Sequence, residues 1–172
     1  TCTIKLINYC PVKSLSFQSI NSCQIKKNLG MPNDRIFAFS RGIDPEKAKT
    51  IEKNPKERKL NNFLTLKNSP VLNKYNFSYN GNKLTLILDG EEIISISADD
   101  QNEKSSLSKK LFELESTLIN PIILLKNTEY PFYDTSHSNN VFNSISLINL
   151  NSIKDFENKI EEDVEFQRFR GN

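Results

Sequence analysis

The chain has 172 residues, enough for one ordinary domain or two small ones sharing a core, and too few for a multidomain machine. Hydrophobic residues make up 37% and charged residues 26%, with a mean hydropathy of −0.51, which argues against both a helical membrane protein and a disordered chain. Lys and Arg total 23 against 21 Asp and Glu, so the net charge of +2 gives no case for nucleic acid or an anionic membrane, and any anion binding has to be local.

Three cysteines, Cys2, Cys10 and Cys23, without C-x-x-C spacing and with a single histidine, indicate neither a disulfide framework nor a zinc site. Reduced thiols in a cytoplasmic protein are the expectation. No apolar run approaches the roughly 18 residues of a membrane helix, and the N-terminus lacks the apolar segment of a signal peptide, so no membrane segment is expected.

In chain order, Thr3 to Tyr9 reads as a strand stopped by Pro11, and Leu15 to Ile25 as a second extended segment. Gly30, Pro32 and Asn33 mark a loop before the short apolar run Ile36 to Phe39, which Gly42 ends. Asp44 caps a short helix beginning at Pro45, inside a charged run through Lys59 that reads as a solvated face. Between Tyr75 and Ala98, alternating apolar residues with Asn80-Gly81 and Asp89-Gly90 between them predict a three-stranded meander. Asp99 to Ser106 reads as a linker, and Leu107, Leu111, Leu114 and Leu118 fall at helical spacing. Ile122 to Leu125 and Val141 to Leu150 are strand-like. Ser152 reads as the cap of a last helix with Ile153, Phe156 and Ile160 on its inner face.

The polar residues beside these elements, Lys13-Ser14, Asp34-Arg35, Asp134-Thr135-Ser136-His137 and Arg168/Arg170 with Asn172, are rich in anion donors. Ammonium and guanidinium charge combined with hydroxyls and turn N–H groups suits a phosphate better than a metal ion. Walker, G-x-G-x-x-G, G-x-S-x-G and H-E-x-x-H motifs are absent, which removes the commonest nucleotide, hydrolase and zinc-protease readings. Asp34 and the lone His137 are read as structural and solvated, and if 168–170 is a strand, Arg168 and Arg170 share one face of it.

Pro11-Val12-Lys13-Ser14-Leu15 and Asn33-Asp34-Arg35-Ile36-Phe37-Ala38, followed by Phe63-Leu64-Thr65-Leu66, resemble the N-terminal β-barrel segment of MOSC-domain proteins. Phe132-Tyr133-Asp134-Thr135, Ser146 to Ile153 and Arg168-Phe169-Arg170-Gly171-Asn172 resemble the first half of the MOSC domain itself. The resemblance implies a mostly β (α+β), barrel-like fold with a few peripheral helices. Residues 1–98 would be the N-terminal β-barrel domain and 99–172 a C-terminally incomplete first part of the MOSC domain.

It further implies the molybdenum cofactor (molybdopterin), and a family described generically as also binding pyridoxal phosphate. Members similar to the mitochondrial amidoxime reducing component and its bacterial counterparts are oxidoreductases. They reduce small N-hydroxylated substrates with electrons from a ferredoxin-like iron–sulfur or cytochrome partner. By the same resemblance, Lys13 and Ser14 bind the cofactor phosphate with Arg35 as a second cation, Asp134, Thr135 and Ser136 supply hydrogen bonds, and Arg170 and Asn172 contact the cofactor. The family's metal-binding Cys lies downstream of the Arg168–Asn172 motif, and none of the three cysteines here occupies that position. A non-catalytic cofactor or sulfur-carrier binding module is the alternative, and a β-barrel interaction domain without cofactor a third.

Overall fold

The computed structural model describes residues 3–27, 30–133 and 145–169. The chain divides into two units, Thr1–Val141 and Phe142–Asn172. The architecture is α+β, with helix and strand contributing about equally. Its strands form three antiparallel sheets, and no closed barrel forms among the described residues.

In the larger unit, β1 (Ile7–Tyr9) pairs with β2 (Gln18–Ile20), both shorter than the sequence pattern suggests. β3 (Phe37–Arg41) pairs with β7 (Ile122–Lys126), and β4 (Tyr75–Tyr79), β5 (Lys83–Leu88) and β6 (Glu91–Ser97) form the expected meander. Asp89 and Gly90 both sit at positive φ, 52° and 84°, as a two-residue hairpin turn demands. At the other hairpin Gly81 takes φ 95°, while Asn80 Oδ1 accepts from the amides of Asn82 and Lys83.

The β3–β7 ribbon is buried on both faces, which is why its sequence reads as a continuous apolar run. Phe37, Phe39, Ile122 and Leu124 face a first core shared with Tyr75, Phe77, Leu84, Leu86, Ile96, Leu107 and Leu111. Ala38 and Leu125 face a second, smaller core of Ala48, Ile51, Phe63 and Phe132, with Ile123 packed against it. This second core carries the candidate site. Between β2 and β4 the seam is made by side chains rather than a ladder. Ser16 Oγ accepts from Phe77 N at 2.7 Å, and Gln18 accepts from Tyr79 N at 2.7 Å while donating to Tyr79 O at 2.9 Å. These bonds occupy polar groups of an edge strand that would otherwise be open to pairing.

Helix α1 (Pro45–Lys53) starts as the sequence predicts, with the Asp44 side chain accepting from Lys47 N at 2.8 Å and Pro in the first turn. The charged run from Asp44 to Lys59 is nevertheless not merely a solvated face. Ala48 and Ile51 are fully buried in the second core, and the Arg58 side chain turns inward. The expected linker Asp99 to Ser106 is also corrected, because α2 (Gln101–Leu114) begins there under an Asp100 cap. Its first turns are exposed apart from Lys104, so the apolar stripe that signals a helix begins only at Leu107, and the helix ends before Leu118.

In the smaller unit, α3 (Leu150–Ile160) is capped by Asn149, whose side chain accepts from Asn151 N at 3.0 Å, and not by Ser152. Residues 145–149 form no strand. Ile153 is buried, as expected, whereas Phe156 and Ile160 are exposed; Phe156 meets Phe169 edge-on at 5.8 Å. Phe169 and Arg168 belong to a 3-10 turn, Phe166–Phe169, so Arg168 does not lie on a strand face. No described helix is long and apolar enough to cross a membrane.

Candidate functional site

Three segments far apart in sequence meet beside the second core. Residues 10–13 and 34–37 run together through Lys13 N to Phe37 O (2.8 Å), Phe37 N to Pro11 O (3.0 Å) and Arg35 N to Cys10 O (2.6 Å). Asp34 Oδ1 accepts from Cys10 N at 2.9 Å, which gives Asp34 the structural part expected of it. Residues 127–133 then lie against the second segment, with Asn127 N on Ile36 O (2.9 Å) and Phe132 N on Arg35 O (2.7 Å).

Lys13 is 5% exposed, a rare environment for an ammonium group, and its Nζ donates to Phe132 O at 3.0 Å with the Phe63 ring 5.8 Å away. Arg35 pairs with Asp34 at 2.6 Å, and its guanidinium lies 5.7 Å from the Tyr133 ring centroid. Lys13 and Arg35 thus both contact the short stretch that leads directly into Asp134. Ser14, Asn33 and Arg35 all adopt left-handed backbone, with φ of 59°, 65° and 55°. Such conformations cost about 1–2 kcal/mol for residues other than glycine, and hydrogen bonds on both sides of Arg35 hold its backbone there.

A third cation, which sequence reasoning missed, completes the cluster. Arg58 stacks on Phe132 at 4.1 Å and donates from Nη1 to Tyr130 O (2.8 Å) and Pro131 O (3.0 Å). Its Nε and Nη2 donate to Ile51 O (2.8 Å) and Glu52 O (2.9 Å) at the end of α1. Burial pulls its pKa down to about 10, against the opposing field of Glu52, so it stays charged at neutral pH. No local pattern marks Arg58, since it sits among lysines and glutamates and the carbonyls it binds in the third segment are more than 70 residues away.

Burial first, then the Asp34 carboxylate, pushes the Tyr133 phenol up to about 12, with Arg35 pulling the other way. Tyr9, whose hydroxyl donates to Tyr79 O, is likewise pushed to about 12 by burial, then by Tyr79 and Asp34. Cys10 is buried, and its Sγ lies 2.9 Å from Val12 O. Among the described residues no group of three or more His, Cys, Asp or Glu side chains is placed to hold a metal ion.

Of the sequence-predicted site residues, Lys13, Ser14 and Arg35 fall in the two joined segments. Asp134, Thr135, Ser136, Arg170 and Asn172, and with them His137, lie outside the described residues. Comparison with family models, characterised proteins and solved structures returns no significant match.

Proposed function

We propose that this chain binds the molybdenum cofactor through a phosphate site built on Lys13, Ser14 and Arg35, as its resemblance to MOSC-domain proteins implies. The observation that carries the reading is the joint contact of Lys13 and Arg35 with Phe132 and Tyr133, immediately before Asp134-Thr135-Ser136. The donor chemistry fits a phosphate: two cations from separate segments, a backbone turn at Ser14, and one carboxylate, Asp34, which orients Arg35.

In this reading Lys13 and Arg35 neutralise the phosphate, and the Ser14 hydroxyl and turn amides supply short-range donors. Asp134, Thr135, Ser136, Arg170 and Asn172 are proposed as further contacts. Partial burial of the cations strengthens each charge-assisted bond. When bound, the molybdenum centre supplies two-electron reduction of an N–O bond, with electrons from an iron–sulfur or cytochrome partner and a small N-hydroxylated compound as substrate. The β2–β4 seam made by Ser16 and Gln18 supports a barrel-like arrangement of the MOSC N-terminal type for the larger unit.

A second reading is a cofactor or sulfur-carrier binding module without redox chemistry. Cys10 is buried with its sulfur 2.9 Å from Val12 O, in keeping with a structural part. Expression in a molybdopterin-producing host, followed by assay of bound pterin and molybdenum and of N-hydroxy reduction with an artificial electron donor, separates the readings. Pterin with reduction supports the oxidoreductase, pterin without reduction the module, and protein free of both sinks the cofactor reading.

A further inference from the structure

Arg58 uses one flat, charged group to join two places in the fold. On one side it binds the last-turn carbonyls of α1, Ile51 O and Glu52 O; on the other it binds Tyr130 O and Pro131 O and covers the Phe132 ring. A guanidinium suits this because its donors are fixed in a plane, whereas an ammonium is a point donor that cannot span both sets of carbonyls with the same geometry.

The carbonyls it holds belong to the stretch on which the candidate phosphate ligands depend. Phe132 O accepts from Lys13 Nζ, Phe132 N donates to Arg35 O, and Tyr133 lies beside the Arg35 guanidinium. The segment is anchored elsewhere by Asn127, whose side chain donates to Glu52 O and whose Oδ1 accepts from Glu129 N and Tyr130 N. Arg58 ties the residues in between, at Tyr130 O and Pro131 O, and covers the Phe132 ring.

We propose that Arg58 is a positioning residue of the candidate cofactor site: it fixes residues 130–133, the stretch against which both Lys13 and Arg35 are placed. This assignment rests on the cofactor reading above. It concerns a residue outside the MOSC-like motifs, and it gives Arg58 no direct contact with the cofactor.

The test compares the whole chain with Arg58→Lys, and with Asp44→Ala as a control that loosens the other end of α1 without touching residues 130–133. All are expressed in a molybdopterin-producing host. Amide exchange at Phe132 and bound pterin per folded protein are measured in the same preparations. The expected result is roughly tenfold faster exchange at Phe132 and about tenfold less pterin in Arg58→Lys, with Asp44→Ala like wild type in both.

If Arg58→Lys gives no cooperative melt, Arg58→Gln, which keeps two amide donors without charge, replaces it. Unchanged exchange at Phe132, unchanged pterin, or equal losses in the Asp44→Ala control would each overturn the assignment while leaving the cofactor reading standing. A wild-type chain that carries no pterin is a different result: the cofactor reading falls, and the assignment falls with it.

Discussion

Lys13→Met separates a lysine kept for binding from one kept for folding. The methionine matches the lysine stem in length and removes the charge, so packing around the stem is retained. Folding loses the charge-assisted bond from Lys13 Nζ to Phe132 O, worth about 1.5–3 kcal/mol, and takes that donor away from a buried carbonyl. It also escapes the desolvation of an ammonium on a side chain 5% exposed, several kcal/mol in the opposite direction. The two nearly cancel, and the melting temperature should move by no more than about 4 °C.

Phosphate binding has no such compensation. Loss of one charge-assisted bond of about 1.5–3 kcal/mol raises the Kd for inorganic phosphate by roughly 10–150-fold. The assay is a thermal melt paired with an NMR titration of phosphate against the amides of residues 12–15 and 34–37. A variant that melts more than about 10 °C lower and binds phosphate as wild type does would refute the reasoning and make Lys13 a purely structural residue.

Gly42 takes φ +60°, and a Cβ there would stand 2.9 Å from Ile119 Cγ2, a half-exposed side chain able to shift. Gly42→Ala should therefore cost about 1–2 kcal/mol, mostly from backbone strain, and a urea melt unchanged from wild type would contradict this. Tyr9 and Tyr133 have folded pKa values of about 12 against about 10 in an unfolded chain. Below about pH 10 neither state ionises; between about 10 and 12 only the unfolded chain does, so stability falls as pH rises through that window. Tyr9→Phe should flatten the alkaline limb in denaturant titrations, and an equally steep limb would count against the burial of this phenol. Glu115 is held below the usual carboxylate range, by Lys74 first and then by the Tyr75 hydroxyl, against its own burial. Its contribution is present above about pH 4.3 and is lost as pH falls, so Glu115→Gln should flatten the acid limb of the same curve. An unaltered limb would mean that the ion pair does not persist in solution.

Local signals were legible where one chemical need dominates. Asn80-Gly81 and Asp89-Gly90 announce positive-φ turns, Asp44-Pro45 announces a helix start, and the structure has all three. The start of α2 was hidden because its exposed first turns carry Gln, Asn, Glu and Ser, a composition shared with linkers, and the buried Lys104 among them gives no apolar mark. The last helix is expected to start at Ser152, but Asn149, an equally good capping residue three positions earlier, takes that part. At the candidate site, Lys13 and Arg35 stand out through motif resemblance. Arg58 is recognisable only through tertiary contacts, since its role depends on where carbonyls more than 70 residues away are brought by β3 and β7. Burial of β3 on both faces likewise follows from pairing with a strand about 85 residues downstream, which a run of four apolar residues does not disclose.

The most direct measurement is the pterin and molybdenum content of the chain and of its Lys13→Ala/Arg35→Ala double variant, both purified from a molybdopterin-producing host and compared at equal folded fraction. The account predicts cofactor bound to the wild-type chain and a loss of at least about tenfold in the double variant, as expected when two charge-assisted phosphate contacts are removed. Equal pterin in the two proteins would contradict the phosphate site, and no pterin in either would contradict the cofactor itself.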